Sequence, residues 1–292
     1  MDNRYQKTLT DFESFLQTHQ PAISSDDFHP HFAKAFWEML LNGGKRFRPN
    51  LLLALVDGLS PMMTPNAFYP ALALECLHTY SLIHDDLPCM DDASLRRAHP
   101  TLHVTYGETS AVLAGDALNT YAFYLLAESR LDDSVKVALV RELASAGGVG
   151  GMIIGQALDC HFEDQVLSID KLEIIHANKT AKLIAASLKM GALIAGASSE
   201  FITELESFGL RLGLFFQIRD DVIDAVQEEG EAGKPTRNDA HKNSYVNLLG
   251  LTKAQDLLAR ESAALQGTLA RFPESVAKNL EWLLASFFKE IK

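Results

Sequence analysis

Acidic residues gathered at the ends of apolar stretches constrain the fold of this chain more than any other feature of its sequence. In the first cluster, the apolar run 74–83 leads into acidic pairs at 85–86 and 91–92 and then into an arginine pair at 96–97. Carboxylates at this density repel one another unless cations lie between them. Mg²⁺ suits such a place, because it accepts one or two carboxylates while water and substrate phosphates complete its ligand shell. A lone acidic pair would more often mark an exposed helix end.

A second acidic cluster strengthens the case for a metal site. Residues 215–224 read F-F-Q-I-R-D-D-V-I-D, in which Asp220 and Asp224 lie one helical turn apart on one face and Gln217 joins that face. Each cluster lies on an apolar helical stretch, and more than a hundred residues separate the two. In helical bundles, metal sites are built from carboxylates on facing helices. The sequence therefore predicts an all-α bundle in which the two clusters face each other.

Two further motifs complete a family resemblance. Residues 43–49 read G-G-K-R-F-R-P, and a Lys-Thr pair opens a later helical run at 179–180. The first acidic cluster has the form D-D-x-x-x-x-D at 85–91, and the second has the form D-D-x-x-D at 220–224. In this order, across nearly the whole chain, the four motifs resemble those of the trans-prenyl diphosphate synthase family, and most closely its bacterial short-chain farnesyl type.

The resemblance implies both a fold and a reaction. The fold would be one domain, residues 1–292, forming a single helical bundle of the isoprenoid synthase type with a central active-site cavity. The reaction would be prenyl transfer, the head-to-tail condensation of isopentenyl diphosphate with dimethylallyl and geranyl diphosphates to give (2E,6E)-farnesyl diphosphate. The family resemblance also implies a homodimer.

The resemblance assigns roles to individual residues. About three Mg²⁺ ions per site, with Mn²⁺ as a possible substitute, would be held by Asp85, Asp86, Asp91, Asp220, Asp221 and Asp224. Isopentenyl diphosphate would be bound by Lys45, Arg48, His78 and Arg97. The allylic diphosphate would be bound by Arg96, Lys179 and Lys234, while Thr180 and Gln217 would face the developing allylic cation. The residues expected to act in the chemical step are Asp85, Asp91, Arg96, Lys179, Asp220 and Lys234.

Product length is expected to depend on the helix that precedes the first acidic motif. Tyr80 lies five residues before Asp85, and Ser81 follows it. Most helix aromatics pack in a protein core, and that role alone would explain Tyr80. In the resembled family, however, an aromatic side chain at this place closes the bottom of the prenyl pocket, so that a growing chain stops at fifteen carbons. Tyr80 therefore favours farnesyl over geranylgeranyl diphosphate as the product.

Composition limits the class of protein and the cellular compartment that fit this chain. The 292 residues are 47% hydrophobic and 22% charged, which is typical of a globular protein, and the net charge of −12 argues against a nucleic-acid-binding surface. Three cysteines without C-x-x-C spacing are typical of free thiols in a reducing compartment. The first residues include no apolar signal segment, and the uncharged run 143–158 is glycine-rich and shorter than the ~20 residues of a membrane-spanning helix. We therefore expect a cytoplasmic protein without a membrane span.

Apolar residues at helical spacing predict helices over 4–19, 28–41, 50–58, 66–86, 109–130, 134–160, 252–271 and 274–290.

Inside the first acidic motif, Pro88 disfavours helix at the residue before it, so the chain should turn there and bring Asp91 back towards Asp85. Gln156 and Asp159 share one face near the end of a Gly- and Ala-rich helix, where they could belong to the site or support it.

Some positions depart from the family pattern. Ala98 and Arg237 stand where the family usually has glycine, and Arg219 stands where glutamine is common. The loop after Asp224 is about two residues shorter, which leaves the role of Lys242 open.

Three other functions stay open. They are a geranylgeranyl diphosphate synthase, a terpene cyclase sharing the first motif, and a catalytically silent partner subunit. The D-D-V-I-D motif is of the synthase type, which argues against the cyclase. All the principal motif residues are present, which argues against the silent subunit.

Overall fold

The protein is all-α, as the sequence predicts. The computed structural model describes residues 3–23, 29, 31–163, 165–230 and 243–288, with the backbone alone described at 227–230. Backbone contacts divide the chain into two compact units, Met1–Val140 and Arg141–Lys292. The boundary falls inside one helix, α7 Asp133–Gly147, and a single domain over 1–292 stays a prediction.

The first unit consists mainly of helices. Its helices are α1 Asn3–Thr18, α2 Phe32–Leu41, α3 Phe47–Leu59, α4 Phe68–Asp85, α5 Leu102–Tyr106 and α6 Glu108–Glu128, with a 3₁₀ turn at Pro61–Ala67 before α4. Helix α4 is central because it is apolar all round, and a helix of that kind is stable only when its whole surface is buried. Leu72, Leu74 and Leu77 are at most 2% exposed, and burying each contributes about 1.5–3 kcal/mol.

A tight hairpin lies between α4 and α5. Its two strands, β1 Leu95–Arg96 and β2 His99–Pro100, are antiparallel, and residues 97–98 form the turn. Arg97 and Ala98 have φ angles of 54° and 64°, in the left-handed region that a two-residue hairpin turn of this kind requires. Glycine would adopt this conformation without strain, so Ala98 stores strain beside Arg97. The departure at Ala98 therefore affects the backbone that positions an arginine of the predicted site.

The second unit contains the second acidic motif. Its helices are α7 Asp133–Gly147, which begins before the unit boundary, α8 Met152–His161, α9 Ile169–His176, α10 Lys182–Ile194, α11 Ser199–Gly230, α12 Tyr245–Leu249, α13 Leu251–Leu269 and α14 Glu274–Phe287. A π turn, Ala177–Ala181, joins α9 to α10. Helix α11 packs against this turn at backbone distance, since a Cβ added to Gly213 would lie 2.3 Å from the Cα of Ala181.

The predicted helix over 134–160 is two helices in the structure. Turn residues at 148–151, three of them glycines, separate α7 from α8, because glycine favours chain reversal over helix. By length and composition, Asp133–His161 is the one stretch among the described residues that reaches the criteria for a membrane-crossing helix. The turn at 148–151 interrupts it, so neither of its two helices has the required length.

Candidate active site

The first acidic motif lies where α4 ends. Beyond Asp85 the chain turns through Pro88, and the amide of Asp91 donates a hydrogen bond to the carbonyl of Asp85 over 2.8 Å. A second hydrogen bond, from the amide of Ala93 to the carbonyl of Asp86, closes the same loop. The structure therefore places Asp91 back beside Asp85, as the position of Pro88 predicts. The side chain of Asp85 is partly buried, and that of Asp91 is exposed.

Asp86 turns away from the surface and pairs with Arg96. Its carboxylate is 1% exposed, and its Oδ1 accepts hydrogen bonds from Arg96 Nε at 2.9 Å and Arg96 Nη2 at 2.5 Å. Burial raises the pKa of Asp86, and the arginine opposes that shift. The Arg96 side chain is 28% exposed, and removing it would leave the buried carboxylate of Asp86 without its compensating charge. The pair ties the hairpin to the end of α4 and holds the acidic loop in shape.

Two cations of the motif at 43–49, Arg46 and Lys45, differ in burial. Arg46 has a φ angle of 48° and is 6% exposed, and it pairs with Glu75 at 3.0 Å and Glu13 at 3.3 Å. It also donates to the carbonyl of Gly43 at 2.8 Å. Arg46 is therefore the internal anchor of the loop, whereas the side chain of Lys45 is exposed to solvent. The sequence contains no signal that distinguishes Arg46 from its basic neighbours.

A basic pocket, defined here as Arg48, His78 and Arg97, lies beside that loop. Arg48 Nη1 lies 3.2 Å from His78 Nε2, and Arg97 Nη1 donates to the carbonyl of Gly43 at 2.7 Å. Burial lowers the pKa of Arg48 to about 10, so the guanidinium stays charged near neutral pH. Burial and the neighbouring arginines hold the pKa of His78 well below its usual value. His78 is therefore neutral and accepts at Nε2, and the pocket offers two guanidiniums to an anion.

Gly44 is required by the position of Arg97. A Cβ at Gly44 would lie 2.6 Å from the guanidinium carbon of Arg97, whereas a Cβ at Gly43 would meet nothing within 4 Å. Both glycines have positive φ, so alanine strains the backbone at either position. If this pocket binds isopentenyl diphosphate, as the family resemblance implies, Gly44→Ala should raise the KM for that substrate about tenfold more than Gly43→Ala does, because it alone displaces the guanidinium. Steady-state kinetics of the two variants measure the difference, and equal KM values would contradict this role of Arg97.

The second acidic motif divides in the same way as the first. On α11 Asp220 is partly buried and Asp224 is exposed. Asp221 Oδ2 instead accepts a hydrogen bond from the backbone amide of Tyr245 at 2.7 Å and so fixes the start of α12. Arg219 is 5% exposed, with its guanidinium carbon 4.8 Å from the ring centre of Phe288 and its Nη1 3.4 Å from Asp220 Oδ1. Asp220 and Asp224 are therefore the acidic side chains of this motif that are placed to meet a ligand.

Lys179 and Thr180 lie within the π turn. Lys179 Nζ pairs with Asp159 Oδ2 at 2.6 Å, and Thr180 Oγ1 donates to Gln217 Oε1 at 2.5 Å. Helix α8 approaches so closely that a Cβ at Gly155 would lie 2.1 Å from the amide nitrogen of Lys179. Single π turns within α-helices are frequent at functional sites. The second unit thus gathers Lys179, Thr180, Gln217 and Asp159.

Comparison with known proteins decides the family. The sequence model of the polyprenyl synthetase family matches residues 29–279. The chain belongs to the polyprenyl synthetase family. A farnesyl diphosphate synthase of Geobacillus stearothermophilus is 46% identical over 80% of each chain. A geranylgeranyl pyrophosphate synthase of Catharanthus roseus is 41% identical over 82% of this chain and 68% of that protein.

Solved structures of family members agree with the fold. The crystal structure of a geranyltransferase from Helicobacter pylori, complexed with magnesium and isoprenyl diphosphate, superposes with a TM-score of 0.91. The two sequences are 48% identical, and the match covers 99% of this chain and 98% of the other. The resemblance inferred from the four motifs is therefore confirmed, together with the all-α fold of this polyprenyl synthetase family member.

The donor set of this polyprenyl synthetase family member fits Mg²⁺ bound together with a phosphate ligand. Among the residues that the structure describes, no three His, Cys, Asp or Glu side chains gather closely enough to hold a metal ion alone. Asp85 with Asp91, and Asp220 with Asp224, instead offer one pair of carboxylates each. Mg²⁺ commonly takes one or two carboxylates and completes its shell with water and phosphate oxygens.

Lys234, Arg237 and Lys242, which the sequence analysis also discussed, lie outside the described residues.

Proposed function

We propose that this polyprenyl synthetase family member is a farnesyl diphosphate synthase that joins isopentenyl diphosphate to dimethylallyl and then to geranyl diphosphate. The arrangement at the end of α4 carries the proposal. There Asp91 is hydrogen-bonded back to Asp85 through the backbone, and the buried ring of Tyr80, 7% exposed, precedes them on the same helix. Carboxylates suited to metal–diphosphate binding and a bulky aromatic side chain thus occur together.

The acidic motifs and their neighbouring cations act on the allylic diphosphate. Bound Mg²⁺ would neutralise the diphosphate oxygens and make that group a leaving group. Asp85, Asp91, Asp220 and Asp224 are the proposed direct ligands. The carboxylates of Asp86 and Asp221 hold Arg96 and the amide of Tyr245, and we assign both residues to support of the acidic pairs.

Cations and polar oxygens complete that half of the reaction. Arg96 and Lys179, with Lys234, contribute positive charge towards the diphosphate, which stabilises the charge that develops as the carbon–oxygen bond breaks. For Lys179 this requires an exchange of partner from Asp159 to a diphosphate oxygen. Thr180 and Gln217 present oxygen dipoles to the allylic cation.

The basic pocket and Lys45 act on the second substrate. Arg48 and Arg97 have the planar donors that bind diphosphate oxygens in pairs, and the neutral His78 fixes the orientation of Arg48. The double bond of isopentenyl diphosphate attacks the allylic carbon and forms the new carbon–carbon bond. The proton then lost from the condensed product passes to the released pyrophosphate, since the motifs include no evident general base.

Several finer properties belong to the same proposal. We infer about three Mg²⁺ ions per site with Mn²⁺ as a substitute, a cytoplasmic homodimer, a single domain over residues 1–292, and a prenyl pocket closed by Tyr80 and Ser81. A longer product is the main alternative, and the relative from Catharanthus roseus is the observation that favours it. The buried aromatic ring of Tyr80 favours the fifteen-carbon product over that alternative.

A product analysis tests the proposed function. We expect purified protein with isopentenyl diphosphate, dimethylallyl diphosphate and Mg²⁺ to form a fifteen-carbon product. Excess EDTA should abolish its formation and added Mg²⁺ should restore it, because the acidic pairs bind diphosphate through the metal. Undiminished product in EDTA would contradict the metal assignment, and a twenty-carbon product would contradict the role of Tyr80. No condensation by folded protein would instead support the silent-subunit alternative.

A further inference from the structure

His84 lies at a contact that the known motifs do not explain. It is the residue before Asp85, in the last turn of α4, and its imidazole lies directly on the backbone of α6 at Gly115. A Cβ at Gly115 would be 2.2 Å from His84 Nε2, 2.5 Å from Cδ2 and 3.0 Å from Cε1. Only glycine leaves room for the ring at this place. Because glycine lowers helix stability in the middle of a helix, its presence there requires a packing reason.

Two contacts fix the orientation of the imidazole. His84 Nε2 lies 3.0 Å from the carbonyl oxygen of Val112, to which it donates a hydrogen bond, and 3.9 Å from the carboxylate of Asp116. The same imidazole meets Tyr80, one turn earlier on α4, with ring centres 5.7 Å apart and the planes at 83°. The imidazole therefore contacts both the backbone of α6 and the ring of Tyr80.

We propose that His84, seated on Gly115, is a positioning residue that sets product length by holding the ring of Tyr80 in place. This inference rests on the proposed function, in which that ring closes the prenyl pocket. Tyr80 alone has rotational freedom about its side-chain torsions, and a ring that swings aside opens the pocket as truncation would. The contact with His84 removes that freedom, because the imidazole is itself fixed by the Val112 carbonyl and by the backbone at Gly115.

The test is a double-mutant cycle with product ratio as its readout. The variants are Gly115→Ala, His84→Ala and the combination of both, and Gly267→Ala is the matched control. Gly267 lies inside helix α13, and an added Cβ there would meet nothing within 4 Å. The control therefore measures the effect of alanine in a helix without the steric contact. Circular dichroism and thermal unfolding establish that each variant is folded, and chromatography measures the ratio of twenty- to fifteen-carbon product.

We expect Gly115→Ala and His84→Ala each to raise that ratio about tenfold, and Gly267→Ala to leave it unchanged. With His84 already removed, the added methyl meets no imidazole, so Gly115→Ala should change the ratio little further. This non-additivity is what coupling through one contact produces. A change in overall turnover without a change in ratio would identify a purely structural contact and overturn the proposal.

The cycle separates this inference from the proposed function. A wild-type protein that forms no prenyl product would refute the proposed function and this inference with it. A wild-type protein that forms the fifteen-carbon product, and whose variants keep the same ratio, would refute the role of His84 and leave the proposed function intact. Equal effects of Gly115→Ala with and without His84 would also overturn the proposal, because the methyl would then act through another neighbour.

Discussion

Replacement of Asp85 by asparagine should lower kcat/KM about a thousandfold or more, because it removes a metal-ligating charge without changing side-chain volume. Asp85 is the residue to which Asp91 is hydrogen-bonded through the backbone, and that contact is unaffected by the substitution. The loop should therefore keep its shape while the carboxylate pair loses half of its charge. A loss of similar size is expected for Asp220→Asn on α11.

Asp92→Asn is the matched control for Asp85→Asn. It removes one negative charge from the same loop, and asparagine tolerates the φ angle of 48° found at Asp92. We expect this control to change kcat/KM less than about threefold, since a single exposed charge contributes little. Steady-state kinetics over a Mg²⁺ titration, with thermal unfolding of each variant, are the measurements. If Asp85→Asn keeps wild-type turnover while folded, the metal assignment is wrong. Equal losses in both variants would point to the net charge of the loop.

Replacement of Tyr80 by alanine should change the main product from fifteen to twenty or more carbons. Tyr80 is 7% exposed and belongs to the buried surface of α4, so truncation of its side chain leaves space inside the protein. Such a space accepts the next isoprene unit, because burying each extra CH₂ contributes about 0.8 kcal/mol. The substitution should also lower the free energy of unfolding by about 3–5 kcal/mol, the usual cost of truncating a buried aromatic residue.

Tyr80→Phe separates the ring from the hydroxyl. It preserves the volume at the proposed pocket floor and the edge contact with His84, so we expect it to keep the fifteen-carbon product. Product chromatography after exhaustive reaction measures both variants, and circular dichroism checks that Tyr80→Ala is folded. An alanine variant that still stops at fifteen carbons would remove Tyr80 from the pocket floor. A phenylalanine variant with a longer product would assign the stop to the hydroxyl.

Local patterns were enough to predict helices α1 to α4, α6, α13 and α14 and the positions of both acidic motifs, whereas the short helices α5, α9 and α12 were not predicted. Apolar residues at helical spacing predicted a helix over 4–19, which the structure has at Asn3–Thr18, because each such element buries one face wherever it packs. The return of Asp91 towards Asp85 followed from Pro88, since proline restricts the residue before it. The separation of 134–160 into two helices was missed, although its glycines were the available signal.

The direction of each charged side chain was decided by tertiary structure. In the sequence, Asp85 and Asp86 are alike, as are Lys45 and Arg46. In the fold, Asp86 and Arg46 are buried in ion pairs, whereas Asp85 and Lys45 remain accessible to solvent. Which member of such a pair turns inward depends on a partner distant in the chain, as with Arg46 and Glu75. Burial of a charge is stable only where that partner is supplied.

The close approaches at single glycines were likewise invisible in the sequence. Gly44 gives room to Arg97, Gly115 to His84 and Gly155 to Lys179, and in each case the neighbour comes from another part of the chain. The sequence by itself therefore determined the kinds of element, the order of the motifs and the chemistry of their side chains. Only the tertiary structure decided which of those side chains face a ligand and which hold the others in place. The physical reason is that periodicity and charge pattern act over a few residues, whereas burial and ion pairing depend on residues brought together by folding.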